Sequence, residues 1–127
     1  MATQAFTVNI PSVQYVKQAD YVGIYSGADE DKFAATGLTA TRSALVNAPL
    51  VEEFVLALEC RLLQKHELGS HTQFIGEIAD VKADDTVLVE DVVDVEKASV
   101  LSFSPSDACY YRMTGAVGQA FDIGRKT

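Results

Sequence analysis

Leu56-Ala57-Leu58-Glu59-Cys60-Arg61-Leu62-Leu63-Gln64-Lys65-His66, then Glu67-Leu68-Gly69-Ser70, then His71-Thr72-Gln73-Phe74-Ile75-Gly76-Glu77-Ile78-Ala79-Asp80-Val81 is the stretch whose reading decides the fold. Its first arm sets Leu56, Leu58, Cys60 and Leu62 at period two, with Glu59 and Arg61 turned the other way. That is the alternation of a strand with one buried face. The second arm is rich in Thr, Phe, Ile and Val, and a short turn containing Gly69 separates the arms. The stretch therefore predicts a long antiparallel hairpin. Gly76 lies inside the second arm, where glycine marks a bulge or a close approach of backbone or ligand. His71 opens that arm at the rim. It reads either as a turn-bonded rim histidine or as a side chain reaching into a cleft.

Outward from the hairpin, Phe6-Thr7-Val8-Asn9-Ile10 alternates and is β-branched, which predicts a short strand. Pro11-Ser12 opens a helix expected to run to about Ile24, with Ser12 as its N-cap. Residues 26–38 predict a second, shorter helix. Asp29, Glu30 and Asp31 suit its positive end, and Gly37 is its left-handed cap. Residues 39–46 read as a strand ended by Asn47-Ala48-Pro49. Beyond Val81, Val87-Leu88-Val89 reads as a short edge strand. Residues 94–98 form a helical turn capped by Asp94, and residues 100–103 read as a last short strand. The acidic run from Asp84 to Glu96 reads as a solvated loop face. Tyr110 and Tyr111 read as packing anchors or as cofactor-facing rings.

The 127 residues suit one domain, and the composition, 48% hydrophobic and 22% charged, is that of a globular chain able to bury a core. The net charge of −8 excludes nucleic acid and anionic membrane as main partners. Two cysteines, Cys60 and Cys109, without a leader segment read as free thiols, so a cytoplasmic location is expected. No Gly-x-Ser-x-Gly elbow, dinucleotide fingerprint or phosphate loop is present. His66 and His71 lack further ligands at zinc spacing, so no metal is assigned. His66 reads as a solvated strand residue.

Five segments together resemble the flavin reductase-like family, in its flavoredoxin branch. They are Phe6 through Pro11, Ser26-Gly27 through Leu38, Leu58-Glu59-Cys60, Gly69-Ser70-His71 through Glu77, and Tyr110-Tyr111 through Gly124. They occur in the family's order and cover nearly the whole chain. The resemblance implies a mainly β fold with α additions (α+β), a Greek-key split β-barrel of the FMN-binding type. It implies a homodimer with flavin at the subunit interface, and electron transfer between NAD(P)H or a redox protein partner and FMN. It puts His71 near the flavin or nicotinamide, as the catalytic candidate. Ser26, Lys32 and Phe33 fall in a motif expected near the cofactor or the dimer interface, and Tyr110 and Tyr111 help cover the site. Family members carry a further section ahead of the strand at Phe6, with the first barrel strands and much of the phosphate loop. Here Met1-Ala2-Thr3 stands where that section would end, so the barrel is expected to be incomplete on its N-terminal side. The alternatives are a non-enzymatic barrel remnant that dimerises, and a general ligand-binding barrel with an apolar cavity.

Overall fold

In the computed structural model, which describes residues 4–126, strands dominate and helices are short. Met1, Ala2 and Thr3, where the further section would join, lie outside the described residues. Strand β1 (Ala5–Ile10) leads into a 3-10 turn (Val13–Tyr15) and helix α1 (Val16–Ile24). Helix α2 (Lys32–Thr36), β2 (Ala40–Arg42) and β3 (Pro49–Val51) follow. The long strands β4 (Leu56–Leu68) and β5 (His71–Ala83) make the expected hairpin. Two small hairpins close the chain, β6 (Leu88–Val89) with β7 (Val92–Val93) and β8 (Leu101–Ser104) with β9 (Cys109–Arg112), separated by α3 (Val95–Ala98).

The central sheet has the order β1-β4-β5, antiparallel throughout. β1 covers only the proximal half of the hairpin, with Ile10 opposite Leu56 and Ala5 opposite Arg61. Beyond that point the two long strands run on as an arm whose residues 63–75 are all exposed. Leu63 and Leu68 are 62% and 61% exposed. The total accessible surface is 9183 Å², against about 6,600 Å² for a compact monomer of this mass by surface-to-mass scaling. The core expected from composition is accordingly small. The buried apolar residues among those described are Ala5, Ala57, Cys60, Val87 and Ala98.

The hairpin departs from its predicted one-sided face in an informative way. Register shifts lie between Glu59 and Cys60 and between Leu62 and Gln64, leaving Ala79 and Leu63 as the extra residues. Ala57 and Glu59 are buried on one face and Cys60 on the other. Glu59, predicted to face outward, is fully buried because the segment between β2 and β3 folds over it. Its Oε1 accepts from the Leu45 N–H at 2.9 Å, and its Oε2 lies 3.6 Å from the Lys82 ammonium.

Other expectations need correction. Ser12 is extended and bridges Val100, so its hydroxyl caps nothing and is buried without a partner. The second helix is much shorter than residues 26–38. Ser26 to Glu30 instead form a turn, with the Asp29 and Glu30 N–H groups donating to the Ser26 carbonyl. Asp31 is the actual N-cap, accepting from the Ala34 N–H at 3.2 Å, and Gly37 is the left-handed C-cap as expected, at φ 75°. The strand read over 39–46 shrinks to β2, because Pro49 starts a strand instead of ending one; Arg42 pairs with Pro49 at that edge. The edge strand at 87–89 has a partner, β7, reached through Glu90 and Asp91, both at positive φ. The strand near Phe103 is not the last, since Tyr110 and Tyr111 lie in its partner β9.

Polar side chains hold several of these turns and set a pH window. A backbone N–H from Thr39 holds the Glu53 carboxyl below the ordinary range, and the Thr86 N–H does the same for Asp84. The Lys82 ammonium lowers Asp80, and the Tyr111 hydroxyl lowers Asp107. A carboxyl lowered in the fold contributes stability that is present above its unfolded value, about 4, and lost as pH falls through the folded value. Tyr21, Tyr110 and Tyr111 are raised by donating to Glu30, Asp20 and Asp107. Their contribution is complete below about 10 and lost as pH rises past it. Thermal melts should therefore give a flat midpoint from about pH 5 to 9, falling below about 4 and above about 10. A midpoint that drops between pH 7 and 5 would contradict this assignment.

Candidate functional site

Helices α1 and α2 meet β1, β3 and Phe54 around a cavity of about 290 Å³. Its walls are Asn9, Gln18, Val22, Lys32, Phe33, Thr36, Leu38, Val51 and Phe54. The two helices are stitched at their ends. Lys32 Nζ donates to the Val22 carbonyl at 2.7 Å, satisfying an acceptor in the last turn of α1. The Tyr21 hydroxyl donates to the Glu30 carboxylate at 2.7 Å. Tyr110 Oη donates to Asp20 Oδ1 at 2.7 Å and so ties the last hairpin to α1; its ring packs on Phe103 at 5.3 Å between centroids. On the far side, Tyr15 lies 5.5 Å from Phe54 between ring centroids.

Most polar groups in the wall are committed to the fold. Asn9 donates to Thr7 Oγ1 at 2.9 Å and accepts from the Val51 N–H at 3.0 Å. The Thr36 hydroxyl donates to the Lys32 carbonyl at 2.7 Å and accepts from the Leu38 N–H. Gln18 differs: its Oε1 is buried and has no hydrogen-bond partner. The cavity is thus a largely apolar recess with Phe33 and Phe54 in its wall and the Lys32 side chain among its lining, while the Gln18 oxygen is closed off from solvent.

The residues singled out from sequence separate into two groups. Lys32 and Phe33 line this cavity, and Ser26 lies in the turn ahead of α2, where its hydroxyl accepts from the Ala28 N–H at 3.1 Å. Tyr110 reaches α1 without lining the cavity. Tyr111 is exposed and donates to Asp107. His71 sits at the tip of the long hairpin, exposed, with Nδ1 sharing a hydrogen bond with Ser70 Oγ at 2.8 Å. The chain by itself does not bring His71 to the cavity wall. Sequence reading missed Gln18, Val22 and Phe54. The first two lie four apart on α1, one turn of one helical face, and that spacing was a usable signal.

Comparison with known proteins fits this architecture. Residues 1–104 match the model of the flavin reductase like domain. The structure superposes on flavoredoxin of Desulfovibrio vulgaris (Miyazaki F) with a TM-score of 0.91 and 46% identity, covering 98% of this chain and 67% of that one. Flavoredoxin from Methanosarcina acetivorans gives a TM-score of 0.89 at 29% identity, over 98% of this chain and 66% of that one. The Escherichia coli (strain K12) protein YddH is 39% identical over 87 residues, 67% of this chain and 46% of its own length. The chain belongs to the flavin reductase-like family, in its flavoredoxin branch, and its mainly β architecture is that of the split barrel. It spans about two thirds of the flavoredoxin structures and under half of the Escherichia coli relative.

Proposed function

We propose that the chain is an FMN-binding domain that passes electrons between NAD(P)H, or a redox protein partner, and flavin. The observation that carries this reading is the family match over residues 1–104. The cavity supports it, because its lining is that of a site for a flat apolar ring: Phe33 and Phe54 are in its wall, with Val22, Leu38 and Val51. Bound flavin would supply the redox chemistry. The chain's part is to hold the ring, exclude water with its apolar wall, and orient the electron donor. Lys32 would sit beside the ring, and Ser26 and Tyr110 would brace the helices that frame it. Tyr111 would act from a second copy or a covering segment, as would His71.

His71 is proposed as a positioning group for the donor. Its Nε2 has no partner among the described residues. The exposed arm is also the natural surface for a homodimer, since exposed apolar strands favour association. Titration of the chain with FMN, followed by flavin fluorescence and by NAD(P)H-dependent reduction, tests the reading. His71→Ala should fold normally and lower reduction at least several-fold, while His66→Ala should do little. Equal rates for wild type and His71→Ala would remove His71 from the mechanism. A second reading, a dimerising protein without flavin, is favoured by the exposed arm alone, with Leu63, Leu68, Phe74 and Ile75 open on it. A stable dimer that leaves FMN fluorescence unchanged would select it.

A further inference from the structure

We infer that the segment after Arg112 docks on a second copy of this chain, with Phe121 as its anchor on the valine-lined, acidic face of the β6–β7 hairpin. The inference rests on the homodimer of the reading above for the partner's identity, but on this surface alone for the contact. Beyond Gly115, whose N–H donates to the Glu96 carboxylate, the segment's hydrogen bonds among the described residues are all local. Val117, Phe121 and Ile123 stand 96%, 94% and 71% exposed. The segment nonetheless has a defined shape. The Ile123 N–H donates to the Gln119 carbonyl at 3.0 Å. The Ile123 side chain closes onto Gly118, where an added Cβ would lie 2.5 Å from its Cδ1. Phe121 sits in that turn at φ 62°, a left-handed conformation costly for a bulky residue. An aromatic ring held outward against a backbone cost suits an interface anchor.

The same chain carries the matching surface. Val89 and Val92 are cross-strand partners in β6–β7 and so share a face, with Val95 three residues on in α3. All three are exposed. Glu90 and Asp91 make the turn of that hairpin and form no ion pair among the described residues. The docking segment has the opposite character. Arg125 and Lys126 follow Phe121 and Ile123, and Asp122 is its only acid, in a chain of net charge −8. An apolar anchor followed by cations thus meets an apolar patch edged by carboxylates, the complementarity that steers and registers an interface. Within one copy the segment starts beside this face, at the Glu96 bond, and leaves Val92 and Val95 open. A two-fold partner covers both surfaces at once, because each copy gives its segment and receives the other's. Area permits this contact beside the hairpin arm. The accessible surface of 9183 Å² exceeds that of a compact monomer by about 2,600 Å². A standard interface takes only about 800 Å² from each partner.

The test measures self-association of the full chain by sedimentation over a series of concentrations. Phe121→Ala should weaken it about tenfold or more, the loss expected of an aromatic anchor. Two charge reversals make the sharper test: Arg125→Glu with Lys126→Glu on the segment, and Glu90→Lys with Asp91→Lys on the hairpin turn. Each protein alone should associate about fivefold more weakly than wild type, or weaker still. Mixed, the two should form a heterodimer within about threefold of wild-type affinity, since both reciprocal contacts then join opposite charges. All five positions are exposed, so each variant should keep the wild-type circular dichroism. Unchanged association of Phe121→Ala, or no recovery on mixing, would overturn the inference and leave a dimer through the hairpin arm. So would reversals that lower the melting point while association holds, the sign of a segment docked on its own body. A wild-type chain that stays monomeric at every concentration overturns the inference and the homodimer with it. The FMN titration above decides the flavin reading independently of these results.

Discussion

Glu59→Ala should lower stability by about 2–3 kcal/mol, the loss typical of a buried charged acceptor taken from its partners. Glu59 is the largest fully buried side chain of the described residues, at 0% exposure. Its Oε1 accepts from Leu45 at 2.9 Å, and its Oε2 faces Lys82 at 3.6 Å. Alanine would leave the Leu45 N–H unpaired beneath the segment that covers it. Lys82 would keep Asp80 as partner, and its ammonium is well exposed, so the ion pair contributes the smaller share. Glu59→Gln keeps an acceptor for Leu45 and should cost less, about 1 kcal/mol. Denaturant melts would rank the two variants, and hydrogen exchange at the Leu45 amide would locate the change. Exchange should speed up strongly in the alanine variant and little in glutamine. An alanine variant within about 0.5 kcal/mol of wild type, a normal surface change, would mean that the segment over Glu59 holds itself in place.

That glutamate also shows where the sequence stopped being readable. Alternation in β4 was visible from Leu56, Leu58, Cys60 and Leu62, and the hairpin and its turn at Gly69 followed directly. A charged residue in an alternating strand is read as outward, because burying a charge is costly. The structure offsets that cost with an N–H and an ammonium from residues 14 and 23 positions away, which no local pattern reveals. Bulges at Ala79 and Leu63 shift the register in a similarly hidden way. The candidate site was half legible. Lys32 and Phe33 stood in a capped helical segment with a recognisable motif. Gln18 and Phe54 did not, since a glutamine on a helix and a phenylalanine between strands are ordinary until β1 and β3 bring them together. His71 was legible as a rim residue, and its exposure at the hairpin tip agrees. What it meets depends on surfaces beyond this chain's own cavity.

Gly76→Val should destabilise the protein by about 2 kcal/mol, the middle of the range for overpacking. Sequence allowed opposite signs, since valine is favoured in strands but a glycine can admit a close neighbour. The structure supplies the neighbour. A Cβ at Gly76 would lie 2.5 Å from Cζ and 2.6 Å from Cε1 of Phe6, and 3.1 Å from the Arg61 carbonyl oxygen. Phe6 pairs with Cys60, and Gly76 pairs with Leu62, so the ring reaches diagonally across β4 to cover the bare backbone. The close approach is therefore made by the protein's own aromatic ring. Valine must push that ring aside and expose it, which outweighs any gain in strand propensity. The carbonyl of Arg61 belongs to the backbone and yields less easily. The contact can be isolated by a double-mutant cycle with Phe6→Ala. Phe6→Ala should itself be destabilising, through lost ring burial. In the double variant valine no longer meets the ring, so the combined loss should fall short of the sum by about 1 kcal/mol. Strict additivity would place the cost of valine in the Arg61 carbonyl contact, and a Gly76→Val protein as stable as wild type would show that the Phe6 ring has another equally good place to pack.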